Sequence, residues 1–455
     1  MTVKDGTPKP LPKPSEIWTT LNEPWCAQIQ PLPAGTVMLI NTADPLQFLA
    51  YFWTGLLANT ALVLTNPSWK QQEWQQVAEQ LSPDIVLGEP PPIAFNDSRP
   101  RPTPGQILIA TGGTSGQIKF VIHTWATLTA AAQGFLAHFK QQPVNCYCVL
   151  PFYHVSGLMQ AMRVWLSGGT LLVQPFKQLD AGQRQIQPDR CWVISLVPTQ
   201  LQRLMEQANT IEWLTQFRAI LLGGGPAWST LLTQSAQLPI ALTYGMSETA
   251  AQIATLLPEE FGQGIRNSGS SLPHVKLEIH HPESSQTQPA GVVGRIALQS
   301  SSLGLGYWPN HPLARHQAWF YPDDLGYLDQ RNHLHVVGRN SQKIVSGGEN
   351  VFPAEVVSAL LTTGLVQDVC VLGLADQTWG QIVTALYVPA TQTLTPQQIK
   401  QALNPILSSY KHPKHWQQVD QIPRNAQGKV SRSRVMALLT KPSGSAQGAG
   451  DDAGD

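Results

Sequence analysis

Charge is scarce in this chain. Only 13% of its 455 residues are Asp, Glu, Lys or Arg, and 29 basic residues balance 29 acidic ones, so the net charge is zero with histidine neutral. A thinly charged, balanced surface offers no electrostatic footprint for nucleic acid or for an anionic membrane. Cysteine is scarce too. Cys26, Cys146, Cys148, Cys191 and Cys370 are scattered and odd in number, which argues against a disulfide framework and for a reducing, cytoplasmic compartment. No apolar run approaches the roughly 20 residues of a membrane span, and the N-terminus has no apolar signal core. Internal repeats are absent. In contrast, 37 prolines and 14 tryptophans indicate a loop-rich protein and not a helical bundle.

The length allows two or three domains with substantial cores. Residues 1–35 read as an irregular wrap or a partly ordered arm. From Val37, strand-like runs alternate with helical spacing: strands at 37–40, 61–64 and 85–87, helices at 45–58 and 69–81. This βαβαβ succession predicts an open, mostly parallel sheet. The loop 89–104 delivers the chain to the apolar run Ile107–Ala110. Further on, helices are expected at 127–139, 158–166 and 198–207, and strands at 146–150, 171–173, 192–195, 219–222 and 240–243. Cys146-Tyr-Cys148 lies in an apolar run and reads as a buried strand in preference to a metal site.

Near residue 265 the rhythm changes. Strand candidates at 276–280, 294–299 and 334–337 follow one another without helices, which suggests a small antiparallel or barrel-like unit. Gly338-Arg339 marks a boundary. Beyond it, helices at 355–363 and 396–407 and strands at 366–374 and 382–388 form a compact α+β unit. The tail is rich in Gly, Ser, Ala and Asp and reads as disordered. The expected organisation is therefore α/β. A large N-terminal domain (1–338) of mostly parallel αβ sheets carries a small barrel-like β unit, a small mobile α+β domain follows (339–440), and a disordered tail ends the chain (441–455).

One stretch concentrates small and hydroxyl residues: Ile109-Ala-Thr-Gly-Gly-Thr-Ser-Gly-Gln-Ile-Lys119. A strand, a loop of glycines and hydroxyls and then a lysine together build a polyphosphate cradle, because glycines bring N–H groups close to oxygens and the lysine adds charge. It is not the P-loop of nucleoside triphosphatases, since Gln117 follows Gly116 where that motif needs lysine. Nor is it a nucleophile elbow, because Gly113-Thr-Ser115-Gly-Gln117 lacks the second glycine. A merely flexible surface loop is the plainer alternative.

Four other stretches carry chemistry. Tyr244-Gly-Met-Ser-Glu248-Thr249 follows a strand end, where open α/β sheets place their ligands. A ring there can cover a base, a hydroxyl can reach phosphate, and a carboxylate can hold Mg²⁺. Asp323-Asp324-Leu-Gly326 and Gly338-Arg339 flank a short apolar hairpin. Asp324 can accept from ribose hydroxyls and Arg339 can donate to sugar or phosphate. Lys343-Ile-Val-Ser-Gly347-Gly348 begins the last domain, and Gly428-Lys429 lies in a polar loop near its end. Taken singly, these also read as a strand-end turn, a surface Asp/Arg pair and an ordinary exposed lysine.

Taken together and in order, the five stretches resemble the adenylate-forming superfamily of acyl-CoA synthetases, luciferases and peptide-synthetase adenylation domains, over about 105–432. The resemblance implies an enzyme that uses ATP, Mg²⁺, CoA and a small-molecule carboxylic acid. The carboxylate attacks the α-phosphate, giving an acyl-adenylate and pyrophosphate, and a CoA thiol then displaces AMP. Thr111, Gly112, Gly113, Thr114, Ser115, Gly116 and Lys119 would form the phosphate loop. Tyr244, Gly245, Ser247 and Glu248 would match the Tyr-Gly-x-Thr-Glu motif, with Ser247 in the threonine place and Glu248 as the Mg²⁺ ligand. Asp324 would bind ribose, in a Pro-Asp-Asp context where Thr-Gly-Asp is usual, and Arg339 would be the arginine before the hinge.

In the same resemblance Gly223, Gly224, Gly225 and Pro226 would lie along adenine. Lys429 would be the catalytic lysine bridging carboxylate and α-phosphate, and Gly347 and Gly348 would line the CoA site once the small domain has rotated. The hinge falls at Ser341, where Asp or Lys is usual. The segments Gly116-Gln-Ile-Lys-Phe-Val-Ile-His-Thr-Trp125 and Ser346-Gly-Gly-Glu-Asn-Val-Phe-Pro353 are similar to those of the 2-succinylbenzoate–CoA ligases of menaquinone and phylloquinone synthesis, especially cyanobacterial ones. In Phe152-Tyr-His154-Val-Ser-Gly157, His154 would border the acyl pocket. An aromatic dicarboxylate also needs a cation there. Arg163 is a candidate, with a solvent-facing position on its helix as the alternative. Other acids, a standalone adenylation enzyme and a catalytically silent nucleotide-binding protein are the rival readings. No nucleic-acid or integral-membrane partner is expected, and the oligomeric state, a homodimer included, stays open.

Overall fold

The run Val37–Asn41 is buried at every position, as a parallel strand covered on both faces must be. It forms β1 of the first sheet, with a parallel strand paired on each side. The protein is described by a computed structural model over residues 33, 35–112, 117–316, 318–391, 393–424 and 430–439. The N-terminal arm and the tail expected from the sequence lie almost wholly outside the described residues.

After β1 come α1 (Pro45–Leu57), β2 (Ala61–Leu64), α2 (Gln71–Gln80), β3 (Ile85–Gly88) and β4 (Gln106–Gly112). Asp44 starts α1: its carboxylate accepts from the N–H groups of Leu46 and Gln47 at 2.9 and 3.0 Å, and Pro45 follows where no N–H is needed. β1 pairs in parallel with β2 and β3, and β2 in parallel with β4. Alternate residues divide between two cores. Met38, Ile40, Leu62 and Leu64 pack with α1, while Val37, Leu39, Ala61 and Val63 pack with Trp74 and Val77 of α2.

The segment after the Gly-rich stretch forms an element to which the sequence pattern assigns nothing. Ile118–Thr124 is a strand, β5, antiparallel to β4 with Thr111 opposite Lys119. The described ends of the stretch thus pair as a hairpin. Its buried residues Ile118, Phe120, Val121 and Ile122 supply the apolar content of a strand. Thr124 then caps α3 (Trp125–Phe139) by accepting from Thr127 N–H at 3.3 Å.

The second sheet holds β6 (Asn145–Cys148), β7 (Leu171–Val173), β8 (Trp192–Leu196), β9 (Ala219–Leu222), β10 (Ile240–Met246), β11 (Ala251–Leu256) and β12 (Ser270–Ser271), in the spatial order β12-β11-β10-β9-β8-β6-β7. β7, β6, β8, β9 and β10 run parallel. The chain passes from β6 to β7 on one side and then crosses to β8 on the other. The loops after β6 and β8 therefore flank a topological switch point, the usual ligand crevice of such sheets. Helix α4 (Val155–Ser167) packs with α3 between the two sheets. Leu158 and Met159 join the first sheet's core, and Val164 packs with Phe135, Cys146 and Val193 against the second.

The third sheet is antiparallel, as expected, and carries β13 (Val275–His280), β14 (Gly294–Ser300), β16 (Arg315–His316), β17 (Trp319–Phe320), β18 (Asp324–Leu328) and β19 (Leu334–Arg339). Between them, β15 (Gly306–Tyr307) returns to pair with β5 of the first sheet. A fourth sheet comprises β20 (Ile344–Ser346), β21 (Glu349–Val351), β22 (Val366–Asp376), β23 (Gly380–Pro389) and β24 (His415–Gln418), and is covered by the helices Pro353–Thr362 and Pro396–Leu403. No helix among the described residues is long and apolar enough to cross a membrane.

Candidate active site

The hairpin of β4 and β5 carries the first group of site residues expected from the sequence. Thr111 and Lys119 face each other across it, at the mouth of the loop; Gly113, Thr114, Ser115 and Gly116 lie outside the described residues. Lys119 is exposed, and its Nζ sits 5.8 Å from the centroid of the Tyr307 ring. The Tyr307 hydroxyl in turn donates to Glu248 Oε1 at 2.6 Å. Burial, and then the nearby Glu248 carboxylate, push the Tyr307 phenol above its ordinary range, so it remains a donor. The other oxygen of Glu248 has no partner among the described residues, which suits a carboxylate that takes a hard cation.

Glu248 lies in the turn after β10. Gly245 is required just before it, because a Cβ there would fall 2.0 Å from the carbonyl oxygen of Ala251. The carbonyl of Ser247 accepts from His123 Nε2 on β5 at 2.7 Å, and that of Glu248 accepts from the N–H of Gly304 at 2.8 Å. His123 is fully buried, and burial pushes its pKa down to about 4. It is therefore neutral, with its proton on Nε2 and with Nδ1 accepting from Thr127 Oγ1 at 3.0 Å.

Tyr244, on β10, donates to Asp324 Oδ2 at 2.7 Å. Asp324 pairs with Arg339 across β18 and β19, and Arg339 Nε approaches Asp324 Oδ1 at 3.6 Å. Burial raises the Asp324 carboxyl above its usual range, against the lowering influence of Tyr244 and Arg339. Two distant stretches of sequence thus meet at the C-terminal end of β10. Next door, Gly223-Gly-Gly-Pro226 follows β9. A Cβ on Gly223 would lie 2.2 Å from Thr243 Oγ1, Gly224 has φ +78°, and Gly225 has open space where its side chain would be. A flat group can approach that backbone closely.

His154 ends the loop after β6, beside the switch point, with its ring 4.7 Å from that of Tyr153. Arg163, about two turns along α4, does not face solvent. It is 3% exposed, its guanidinium lies 4.0 Å over the Phe135 ring, and Nη2 donates to Gln252 Oε1 at 3.1 Å. Nε is buried without a partner, no carboxylate among the described residues pairs with it, and burial lowers its pKa to about 10. An enclosed cation lacking an anion is costly.

Gly347 and Gly348 turn between β20 and β21 with φ +60° and +86°, as left-handed positions require. They sit beside two residues that the sequence did not single out. Trp379, at the β22–β23 turn, is 44% exposed, its carbonyl accepts from Gly347 N–H at 3.0 Å, and Lys414 Nζ lies 3.6 Å from its ring centroid. Ser341 is held at the start of the fourth sheet's approach: its N–H and Oγ both donate to the Asp323 carboxylate. Lys429 lies outside the described residues.

Fold and site together fit an enzyme that works on a nucleotide. Residues 57–308 match the family described as AMP-binding enzyme, and 355–429 match the AMP-binding enzyme C-terminal domain. The chain belongs to the AMP-binding enzyme family. It is 33% identical to the 2-succinylbenzoate–CoA ligase of Bacillus cytotoxicus, over 73% of this chain and 70% of that one. With the enzyme of the same name from Enterococcus faecalis it shares 32% identity over 72% and 68%. Its fold matches the o-succinylbenzoate CoA synthetase of Bacillus subtilis in complex with the acyl-adenylate intermediate, with TM-score 0.79, 24% identity and 92% of each chain covered. ATP-bound MatB from Rhodopseudomonas palustris shares the fold with TM-score 0.76 and 21% identity over 93% and 91%.

Proposed function

We infer that this enzyme is an AMP-forming acid–CoA ligase that activates 2-succinylbenzoate, the ligation step of menaquinone or phylloquinone synthesis. The observation that carries the choice of acid is Arg163. 2-Succinylbenzoate has two carboxylates, and only one is activated. The other must be buried with the aromatic ring, and burying it needs a cation. Arg163 is an enclosed guanidinium with an unpartnered Nε, on the helix that starts at the switch-point loop bearing His154. The relatives' shared name supports the same acid.

The first half-reaction joins two anions. A carboxylate oxygen attacks the α-phosphorus, the bond to the bridging oxygen breaks, and pyrophosphate leaves. Catalysis is therefore charge neutralisation and positioning, not proton transfer. Thr111 and Lys119 hold the β- and γ-phosphates with the loop between them, Asp324 and Arg339 hold the ribose, and Gly223–Gly225 lie along the base. Glu248 holds Mg²⁺, which supplies further neutralisation of phosphate charge when bound. Lys429 bridges the carboxylate and the α-phosphate. In the second half-reaction the CoA sulfur attacks the acyl carbon and AMP leaves. The Gly347–Gly348 turn, with Trp379 and Lys414 alongside, presents a flat ring and a cation for CoA. The cysteines among the described residues are free, which supports a reducing, cytoplasmic setting.

The test is Arg163→Gln assayed with 2-succinylbenzoate and with 4-oxo-4-phenylbutanoate, which lacks the ring carboxylate. Losing a buried charge partner costs about 2–5 kcal/mol, so kcat/KM for the dicarboxylate falls about 30- to 4,000-fold while the monocarboxylate is unaffected. Equal losses on both acids refute the assignment.

A further inference from the structure

We propose that Tyr307 and His123 are positioning residues that clamp the Ser247–Glu248 turn and thereby fix the metal-holding oxygen of Glu248 relative to Lys119. The clamp rests on the reading of Glu248 as the carboxylate that holds the Mg²⁺ of ATP. Glu248 stands in a three-residue turn, Ser247–Thr249, at the tip of a strand, where a carboxylate left to itself would sample several rotamers. Two hydrogen bonds hold the backbone of the turn and a third holds the carboxylate itself. His123 donates to the Ser247 carbonyl at 2.7 Å, Gly304 N–H to the Glu248 carbonyl at 2.8 Å, and the Tyr307 hydroxyl to Oε1 at 2.6 Å. A carboxylate only accepts, so the direction of the last bond is set. Oε1 is occupied and Oε2 is left for the cation.

All three donors come from one edge of the first sheet. His123 is on β5, and Tyr307 is on β15, which pairs with β5 through Tyr307 opposite Val121. Tyr307 is further tied by its N–H to His311 O at 2.7 Å and by His311 N–H to its own carbonyl at 2.9 Å. The same β5 carries Lys119. The clamp therefore joins the phosphate hairpin of the first sheet to the strand-end carboxylate of the second, and the two ends of the triphosphate–metal site move as one body. Partners that orient a ligand in this way are worth about 10–100-fold in metal affinity.

The test is equilibrium binding of ATP to the full chain, with Mg²⁺ and with EDTA, read as the ratio of the two affinities. Glu248→Gln should reduce the ratio to near unity; an unchanged ratio sinks the parent reading of Glu248. Tyr307→Phe removes one hydroxyl and keeps the ring beside Lys119. It should lower the ratio about ten-fold with metal-free binding unchanged, and should add nothing in the Glu248→Gln background. If Glu248→Gln lowers the ratio but Tyr307→Phe leaves it alone, or weakens both affinities equally, the clamp is wrong. For His123, the glutamine variant keeps a donor at the Nε2 position and should retain the ratio that the alanine variant loses. Identical behaviour of the two overturns the role of His123.

Discussion

Tyr244 Oη and Asp324 Oδ2 lie 2.7 Å apart although 80 residues separate them in the chain. The bond ties the end of β10 in the second sheet to the start of β18 in the third, and it leaves the Asp324 carboxylate partly buried and facing Arg339. If that carboxylate receives ribose hydroxyls, Asp324→Asn will raise the KM for ATP about ten-fold, about 1.4 kcal/mol, and will narrow the discrimination between ATP and 2′,3′-dideoxy-ATP. Steady-state kinetics with both nucleotides checks this. A raised KM with discrimination intact would place Asp324 outside the ribose site.

In the resemblance to adenylate-forming enzymes, Asp323 stands where glycine is usual and Ser341 where a charged hinge residue is usual. The structure brings these two departures together, with Ser341 N–H donating to Asp323 Oδ1 at 3.1 Å and Asn340 N–H to the Asp323 carbonyl at 2.7 Å. The pair is exposed, so its contribution to stability is small. Its expected effect is on domain orientation. Asp323→Ala is expected to leave pyrophosphate release without CoA unchanged while altering CoA-ester formation about five-fold, the size of a modest coupling energy. Parallel changes in both half-reactions would show that Ser341 is not the pivot.

The loop holding His154 depends on a glycine two positions into α4. A Cβ at Gly157 would fall 2.2 Å from the Pro151 carbonyl oxygen, a clash with backbone that cannot rotate away. Gly157→Ala will lower the unfolding free energy by about 1–3 kcal/mol, measured as a shift in the urea midpoint at constant slope.

Acid should destabilise the protein through His123. Its folded pKa is lowered to about 4 by burial, from 6.5. Between those values the unfolded chain binds the proton that the folded one refuses, so stability is full above about pH 6.5, declines as pH falls, and stops declining below about pH 4. The shift amounts to about 3 kcal/mol. His274, lowered to about 4 for the same reason, adds to the slope. Urea midpoints between pH 4 and 7 will show the decline, and His123→Gln will make it shallower.

Much of the architecture was legible. Continuous apolar runs at Val37–Ile40, Ala61–Leu64 and Ala219–Leu222 are what strands buried on both faces look like, and they stand where expected. β5 was missed because Lys119 and His123 interrupt its apolar pattern, and only the pairing with β4 explains them. Lys119 is exposed, and His123 is buried because Ser247, far away in sequence, satisfies it. The short helices Thr210–Thr215 and Ser229–Gln234 carry too few turns to show a period. The nucleotide-side motifs were readable because each is local. Trp379 with Lys414, Tyr307 with Glu248 and Asp323 with Ser341 are pairs made by topology, and nothing in their immediate sequence joins them.

The central claim is tested most directly by pyrophosphate release from Mg²⁺-ATP across a panel of carboxylic acids, followed by thioester formation on adding CoA. The account predicts release with 2-succinylbenzoate, far less with acetate, benzoate or fatty acids, and conversion to the CoA ester with AMP. Release with acetate or fatty acids but not with 2-succinylbenzoate would contradict the choice of acid, and no release with any acid would contradict the enzyme reading itself.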